Sequence, residues 1–395
     1  MDSSQGAKLG PLRGLRIVEF AGIGPAPYAG MLLADLGADV IRIDRYDACL
    51  ADPGHRVLGR GRRSLALNLK QPAAIALVRR LLRDSDALIE GFRPGVMERL
   101  GLGPSECRDI NPRLVFGRVT GWGQEGPLAN APGHDINYIA ITGLLNAIGT
   151  RDSGPVAPLN LLGDFAGGGL FLAFGVLAGI LEARNSGQGQ VVDAAMVDGA
   201  SSLGSLIWGM RSGGFWPGAR GENMLDGGSH FYGVFECADG KWVTLASIEP
   251  PFYAALLQAL ELDPTRFRSQ MDPRDWPALR ADVAAAIRRR TRDEWSSRLE
   301  GGDVCFAPVL DFDEALRHPH NLARTAFEEF EGMVYPAAAP RFSRTPGAAA
   351  VPAGQAGEDG RRILADFGFS KEEIAGLESA GVVRPPSDRD MSAGG

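Results

Sequence analysis

Three short stretches carry side chains able to move protons: Gly133-His134-Asp135, Gly163-Asp164 and Ile248-Glu249-Pro250. His134 follows Pro132-Gly133 and precedes an apolar run beginning at Ile136, which predicts a helix start. Asp164 follows Leu161-Leu162-Gly163 and precedes Phe165 and the Gly167–Gly169 run, so it too is expected at a helix N-terminus. Free backbone N–H groups at such a start stabilise a developing oxyanion. Two such groups on opposite sides of one carbon can remove a proton from one face and return it to the other. Each residue also has a plainer reading. A single histidine is usually structural or solvated, Asp164 could be an ordinary N-cap, and Glu249 an exposed turn carboxylate.

The elements around these residues predict an α/β fold. Arg16–Phe20 reads as a strand, Gly22–Pro27 as a tight turn, Tyr28–Leu36 as a helix stopped by Gly37, and Val40–Ile43 as a second strand. Such a βαβ unit implies a parallel sheet with right-handed crossovers. Pro72–Arg83 and Gly95–Leu100 read as helices, Ala87–Ile89 and Leu114–Val119 as strands. The expected architecture is a large Rossmann-like doubly wound domain over 1–195, a linker over 196–231, and a smaller α/β domain over 232–318. A returning linker over 319–345 then leads to a C-terminal part of the large domain, 346–395. Residues 199–230 lack sustained periodicity. Asp239-Gly240 between two β runs predicts a hairpin. Helices are expected over 251–261, 276–289 and 292–299. Ser370 with Glu373 reads as a capping box.

Gly22-x-Gly24-x-x-Pro27 after a strand, with Asp44 ending the next, imitates a dinucleotide fingerprint. Pro27 stands where the third glycine should pack, and Pro25 removes an amide from the would-be pyrophosphate cradle. A nicotinamide enzyme is therefore disfavoured. The 395 residues carry a net charge of −7, which argues against nucleic acid as a partner. The charge is uneven: 18 Lys+Arg face 13 Asp+Glu in residues 1–120. Arg56, Arg60, Arg62, Arg63 and Lys70 form the densest group, either a solvated loop or a phosphate-binding cluster. Cys49, Cys107, Cys237 and Cys305 are scattered, with no CxxC spacing, so neither a zinc site nor a disulfide framework is expected and a reducing cytosol is. The first residues show no signal-peptide pattern. Ala166–Leu181 is apolar throughout but shorter than the ~20 residues of a membrane span, so it is expected to be a buried helix.

Taken together, the segments GLRIVEFAGIGPAPYAGMLLADLGADVIRIDR, SLALNLK, EGFRPGVMERLGLGP, TGWGQEGP, GHDINYIAITG, LLGDFAGGG, IEPPFY and APRFSRTPG resemble the family III CoA-transferase (CaiB/BaiF) superfamily. Within it, the sequence is most similar to the α-methylacyl-CoA racemases. The resemblance runs over nearly the whole chain, and GHDINY and GDFAGGG carry most of it. It implies an interlocked homodimer, each site lying between the large domain of one subunit and the small domain of the other. It implies His134 and Asp164 as a pair of acid/bases, and Glu249 as the carboxylate that hydrogen-bonds the histidine and sets its tautomer. It assigns the CoA-thioester site to Arg45, Leu67, Asn68, Leu69, Lys70, Gly91, Phe92, Arg93, Arg99, Gly133, Asp135, Ile136, Asn137 and Tyr138. The expected partner is an acyl-CoA thioester, whose CoA belongs to the substrate, so no separate cofactor and no metal are expected. The rival implied by the same resemblance is a CoA-transferase using Asp164 as nucleophile. The acyl chain stays open, with 196–228 as a candidate wall.

Overall fold

The structure, a computed structural model, describes residues 10–48, 53–347 and 351–386. The start of the N-terminal lead, Cys49 and the chain's last residues lie outside them. The described chain divides into two units. One comprises 1–139, 159–203 and 325–395, the other 140–158 and 204–324.

The first unit is built on six parallel strands: β1 (Arg16–Phe20), β2 (Asp39–Arg45), β3 (Arg63–Leu67), β4 (Ala87–Glu90), β5 (Val115–Thr120) and β6 (Val191–Ala195). Their order is β3-β2-β1-β4-β5-β6. Alternation along β1 sends Val18 and Phe20 to one core and Ile17 to the other. Pro72–Arg83 covers the first face through Leu77, Val78 and Leu81, joined by Ile363 and Leu364 of the C-terminal segment. Pro25–Asp35 and Phe171–Ser186 cover the second through Ala29, Leu33, Leu172 and Val176. Strand order reverses between β1 and β4, and ligands of open α/β sheets settle at that crevice, outside the carboxyl ends of the strands.

The helix after β1 starts at Pro25, three residues before the expected Tyr28. Pro25 sits where a helix leaves its N–H unpaired in any case. The apolar helix is longer than expected. Leu161–Ser186 runs 26 residues, long and apolar enough by length and composition to cross a membrane. It packs against β5, where Gly179 lets it approach Val115. Leu170, Phe174 and Leu181 on its other side are exposed. The stretch expected to lack periodicity contains two helices, Met196–Leu203 and Ser205–Ser212. The expected returning linker holds the helix Pro319–Ala323 and an antiparallel hairpin.

The four arginines of the cluster are spent on carboxylates, while its fifth member, Lys70, is exposed. Arg60 is buried against Asp35 (2.6 Å), Arg62 against Glu19, and Arg63 pairs with Asp39 and Asp366. Arg56 reaches Glu331 at 2.7 Å. Burial pushes the Glu19 carboxyl up and the Arg62 guanidinium down, each opposed by the partner's charge. Asp44, the would-be ribose ligand, is buried. It accepts from Arg42 Nε (2.9 Å) and Ser64 Oγ (2.5 Å).

The second unit carries an antiparallel sheet in the order β7 (Tyr232–Glu236), β8 (Trp242–Ala246), β9 (Phe306–Pro308). The β7–β8 hairpin turns at Asp239-Gly240, where Gly240 takes φ 74°. Its core gathers Phe231, Leu245, Leu256, Val283 and Trp295. Residues 140–158, expected in the large domain, group with this unit. The 327–336 hairpin, β10 (Phe327–Phe330) and β11 (Met333–Pro336), groups with the first. Ser370 and Glu373 form the expected capping box.

Candidate active site

A cavity of about 560 Å³ opens at the switch point of the parallel sheet. Its walls come from segments leaving the carboxyl ends of four strands: Ile23–Pro25 after β1, Gly91–Pro94 after β4, Gly121–Trp122 after β5 and Met196 after β6. His134 and Asp164 both line it, so residues thirty positions apart in sequence meet in one space.

His134 immediately precedes the helix Asp135–Ala140, as its sequence context predicts. Its carbonyl accepts from Asn137 N (2.8 Å) and its own N–H donates to Asn137 Oδ1 (3.0 Å), which fixes the backbone. The imidazole is exposed. Asp164 differs from expectation. It is not an N-cap but the fourth residue of a π-helix, Leu161–Leu170, whose cap is Asn160. π-Turns are rare and concentrate at functional sites. Asn160 Nδ2 donates to Asp164 Oδ2 at 3.4 Å. Half-buried, the Asp164 carboxyl is raised above the usual carboxylate range. Burial is the main cause and Asp135 adds to it, while Asn160 and His134 oppose. Gly24, at φ 69°, lies against the same carboxylate: a Cβ there would stand 3.1 Å from Oδ2.

The residues assigned to the thioester site divide. Gly91, Phe92, Arg93, Gly133, Asn137 and Tyr138 line the cavity with His134 and Asp164. Arg45, Leu67, Asn68, Leu69 and Lys70 line a second one, of about 380 Å³, beyond the carboxyl ends of β2 and β3. Arg99 and Ile136 are exposed and line neither of these cavities. Glu249 is the exposed N-cap of the helix Pro250–Ala259, in the second unit. Asp135 also lines neither cavity. It is 4% exposed, and its carboxylate turns inward to accept the amides of Gly163 and Asp164. Its side chain is thus engaged within the fold, and only its backbone amide is left for the thioester site.

Sequence reading missed several contributors. Trp122 stands edge-on to Tyr138, ring centroids 4.8 Å apart, and Tyr138 Oη donates to Gly133 O. Gly121 admits the Tyr138 ring, which would overlap any Cβ there. Burial, then the nearby Asp164 charge, pushes the Tyr138 phenol up. Glu90, fully buried at the end of β4, accepts from Phe92 N (2.7 Å) and Arg118 Nε (2.8 Å). Arg118 also reaches Glu98 at 2.8 Å. This chain of ion pairs fixes the Gly91–Arg93 wall. An acid, not an amide, ending a buried strand before Gly-Phe-Arg was the available signal. Among the described residues, no three His, Cys, Asp or Glu side chains cluster as a metal set would.

Fold and site together define a doubly wound α/β protein with an imidazole and a raised carboxyl facing one crevice. The sequence model of CoA-transferase family III matches residues 12–360, and the chain belongs to that family. An α-methylacyl-CoA racemase of Mus musculus is 44% identical over 377 residues, covering 94% of this chain and 97% of that one. The Homo sapiens protein of the same name is 43% identical over 381 residues, with the same coverage. The crystal structure of a CaiB/BaiF family protein from Brucella suis superposes with a TM-score of 0.79 at 24% identity. That match covers 91% of this chain and all of that one, and it speaks for the fold.

Proposed function

We propose that this protein racemises 2-methylacyl-CoA thioesters by exchanging the α-proton through an enolate. The observation that carries the reading is the placement of His134 and Asp164 on one cavity. The likeness to the two named racemases agrees with it. One base removes the α-hydrogen as a proton; the C–H electron pair becomes the Cα=C bond of the enolate, and the carbonyl π pair moves onto the thioester oxygen. The conjugate acid of the other base then protonates the opposite face, leaving the two bases with exchanged protonation states. The amides of Asp135 and Ile136, at the helix start, are the proposed donors to the enolate oxygen. CoA is the substrate's own handle, held by Arg45 and Lys70 at the second cavity, and the scheme uses no metal or redox group. In the proposed homodimer, Glu249 of a second copy orients the His134 imidazole.

The family's name keeps one rival in view. In a CoA-transferase, the Asp164 carboxylate would attack the thioester carbonyl, expel CoA thiolate and form an acyl anhydride. His134 favours the racemase, because a second base gives that reaction nothing. The deciding experiment incubates one enantiomer of a 2-methylacyl-CoA with the protein in deuterated water. Deuterium uptake at the α-carbon with loss of configuration supports racemisation. Borohydride reduction of an activated Asp164 carboxyl to the alcohol, found only in the presence of acyl-CoA and without α-exchange, would replace it with the transferase.

A further inference from the structure

The geometry points to a role for Asp135 that ligand binding does not include: we propose that its carboxylate is the strut that sets Asp164 relative to His134. In a π-helix each N–H reaches the carbonyl five residues back, so the first five amides have no partner inside the helix. Gly163 and Asp164 belong to that set in Leu161–Leu170. Both amides donate to one oxygen, Asp135 Oδ2, each at 2.7 Å. A single side chain, adjacent in sequence to His134, therefore grips the turn that carries Asp164.

Two further observations belong to the same device. The position where a Cβ would stand on Gly163 is 2.7 Å from Asp135 Oδ2 and 3.0 Å from Asp135 O, so only glycine admits the strut. Asp135 Oδ1 is buried with no hydrogen-bond partner among the described residues. A half-satisfied buried carboxylate is costly by itself and calls for an explanation. The double acceptor at Oδ2 supplies it: one oxygen holds two amides that the wide turn leaves open. Asp135 thus acts through Asp164, as a positioning residue. Its charge also helps to keep the Asp164 carboxyl above the ordinary carboxylate range.

The proposal rests on the racemase reading, and the test separates the two. The α-proton exchange of each enantiomer of a 2-methylacyl-CoA is followed in deuterated water for wild type, Asp135→Ala, Asp135→Asn and Gly163→Ala. The Asp164 side is the enantiomer whose exchange an Asp164→Ala variant abolishes. A loosened base costs up to about a hundredfold. Asp135→Ala and Gly163→Ala should therefore lose Asp164-side exchange by about that factor, with His134-side exchange and KM largely kept. Asp135→Asn retains an oxygen that can accept both amides. It should recover most of the exchange, with the acid limb of its pH profile moved to lower pH by loss of the charge. Independently of catalysis, hydrogen exchange should find the Gly163 and Asp164 amides protected in wild type and Asp135→Asn, and open in Asp135→Ala. A raised KM with unchanged kcat would make Asp135 a ligand contact and overturn the proposal. Equal loss on both faces, or amides still protected in Asp135→Ala, would overturn it too. Should Asp135→Ala fail to fold, Gly163→Ala and Asp135→Asn decide by the same readings. Wild type that exchanges neither enantiomer would sink the racemase reading, while amide protection would still report on the strut.

Discussion

Gly24→Ala tests whether the loop after β1 is shaped around Asp164. Gly24 holds φ 69° and ψ −118°, a combination that residues with a Cβ rarely adopt. Forcing alanine into it costs on the order of 1–3 kcal/mol. In a unit of more than two hundred residues, that lowers Tm by roughly 2–12 °C. The chemical effect is separate. The new Cβ would stand 3.1 Å from Asp164 Oδ2, so the carboxylate must give by a fraction of an ångström. If a 1 Å misplacement costs about a hundredfold, a third of that distance scales to roughly fivefold in kcat. KM should change far less, because the lost interaction belongs to the reacting groups. Thermal melts and deuterium uptake read the two effects independently. Gly22→Ala is the control: it lies in the same loop, and a Cβ there meets nothing within 4 Å. A Gly24→Ala protein with wild-type Tm would refute the backbone argument. Lowered Tm with intact kcat would refute the contact with the base.

Other perturbations follow from the ionisable groups. A carboxyl whose folded pKa is raised carries no penalty below its unfolded pKa; the penalty grows as pH rises to the folded pKa and is complete above it. Asp164→Asn should therefore melt higher than wild type near pH 8, by a margin that shrinks toward pH 4; a pH-independent difference would contradict burial as the cause of the raised carboxyl. Arg118→Met leaves the fully buried Glu90 without its guanidinium. It should cost roughly 3–5 kcal/mol in chemical denaturation, partly recovered by adding Glu90→Gln. No recovery in the double variant would deny the pairing. Arg45→Gln and Lys70→Gln, at exposed positions on the second cavity, should raise KM for the acyl-CoA a few-fold, about 1 kcal/mol each at most, with kcat kept. Unchanged KM in both would remove CoA from that cavity.

The doubly wound sheet was legible because β1, β2, β4 and β5 each carry a short apolar stretch (Ile17-Val18, Val40-Ile41, Ala87–Ile89, Val115-Phe116) beside a turn or helix signal, although charged residues interrupt β1, β2 and β5. β3 and β6 escaped as strands. Arg63-Ser64 opens one, and its polar atoms are spent on Asp39 and Asp44; Asp193 interrupts the other, an edge strand with outward-facing positions. The positive excess of the first 120 residues suggested a cluster open to phosphate. Its partners Glu19, Asp35 and Asp39 come from other segments, and composition does not say that they are neighbours. His134 could be placed at a helix start from Pro132-Gly133 and the apolar run behind it. The π-turn around Asp164 could not, because its two open amides are satisfied by a side chain almost thirty residues upstream. Asn160 went unseen for a related reason: a cap four residues before the acid fits a wide turn, not the N-cap the local sequence suggests.

The two residues proposed as bases also differ in kind, and the fold accounts for it. His134 sits on an exposed loop just outside a short helix, open to solvent protons. Asp164 sits half-buried in a wide turn against Gly24, where burial favours its neutral form and Asp135 adds like charge. A carboxyl in water is too weak a base for a thioester α-hydrogen near neutral pH, and removing water brings its proton affinity closer to that of an imidazole. Opposed bases of similar proton affinity are what reversible exchange requires, since each must accept in one direction and donate in the other. The glycines at 24 and 163 serve that match. One lets the β1 loop lie against the Asp164 carboxylate; the other lets the Asp135 carboxylate approach the turn that carries it. A side chain at either position would push apart groups whose closeness keeps the carboxyl basic.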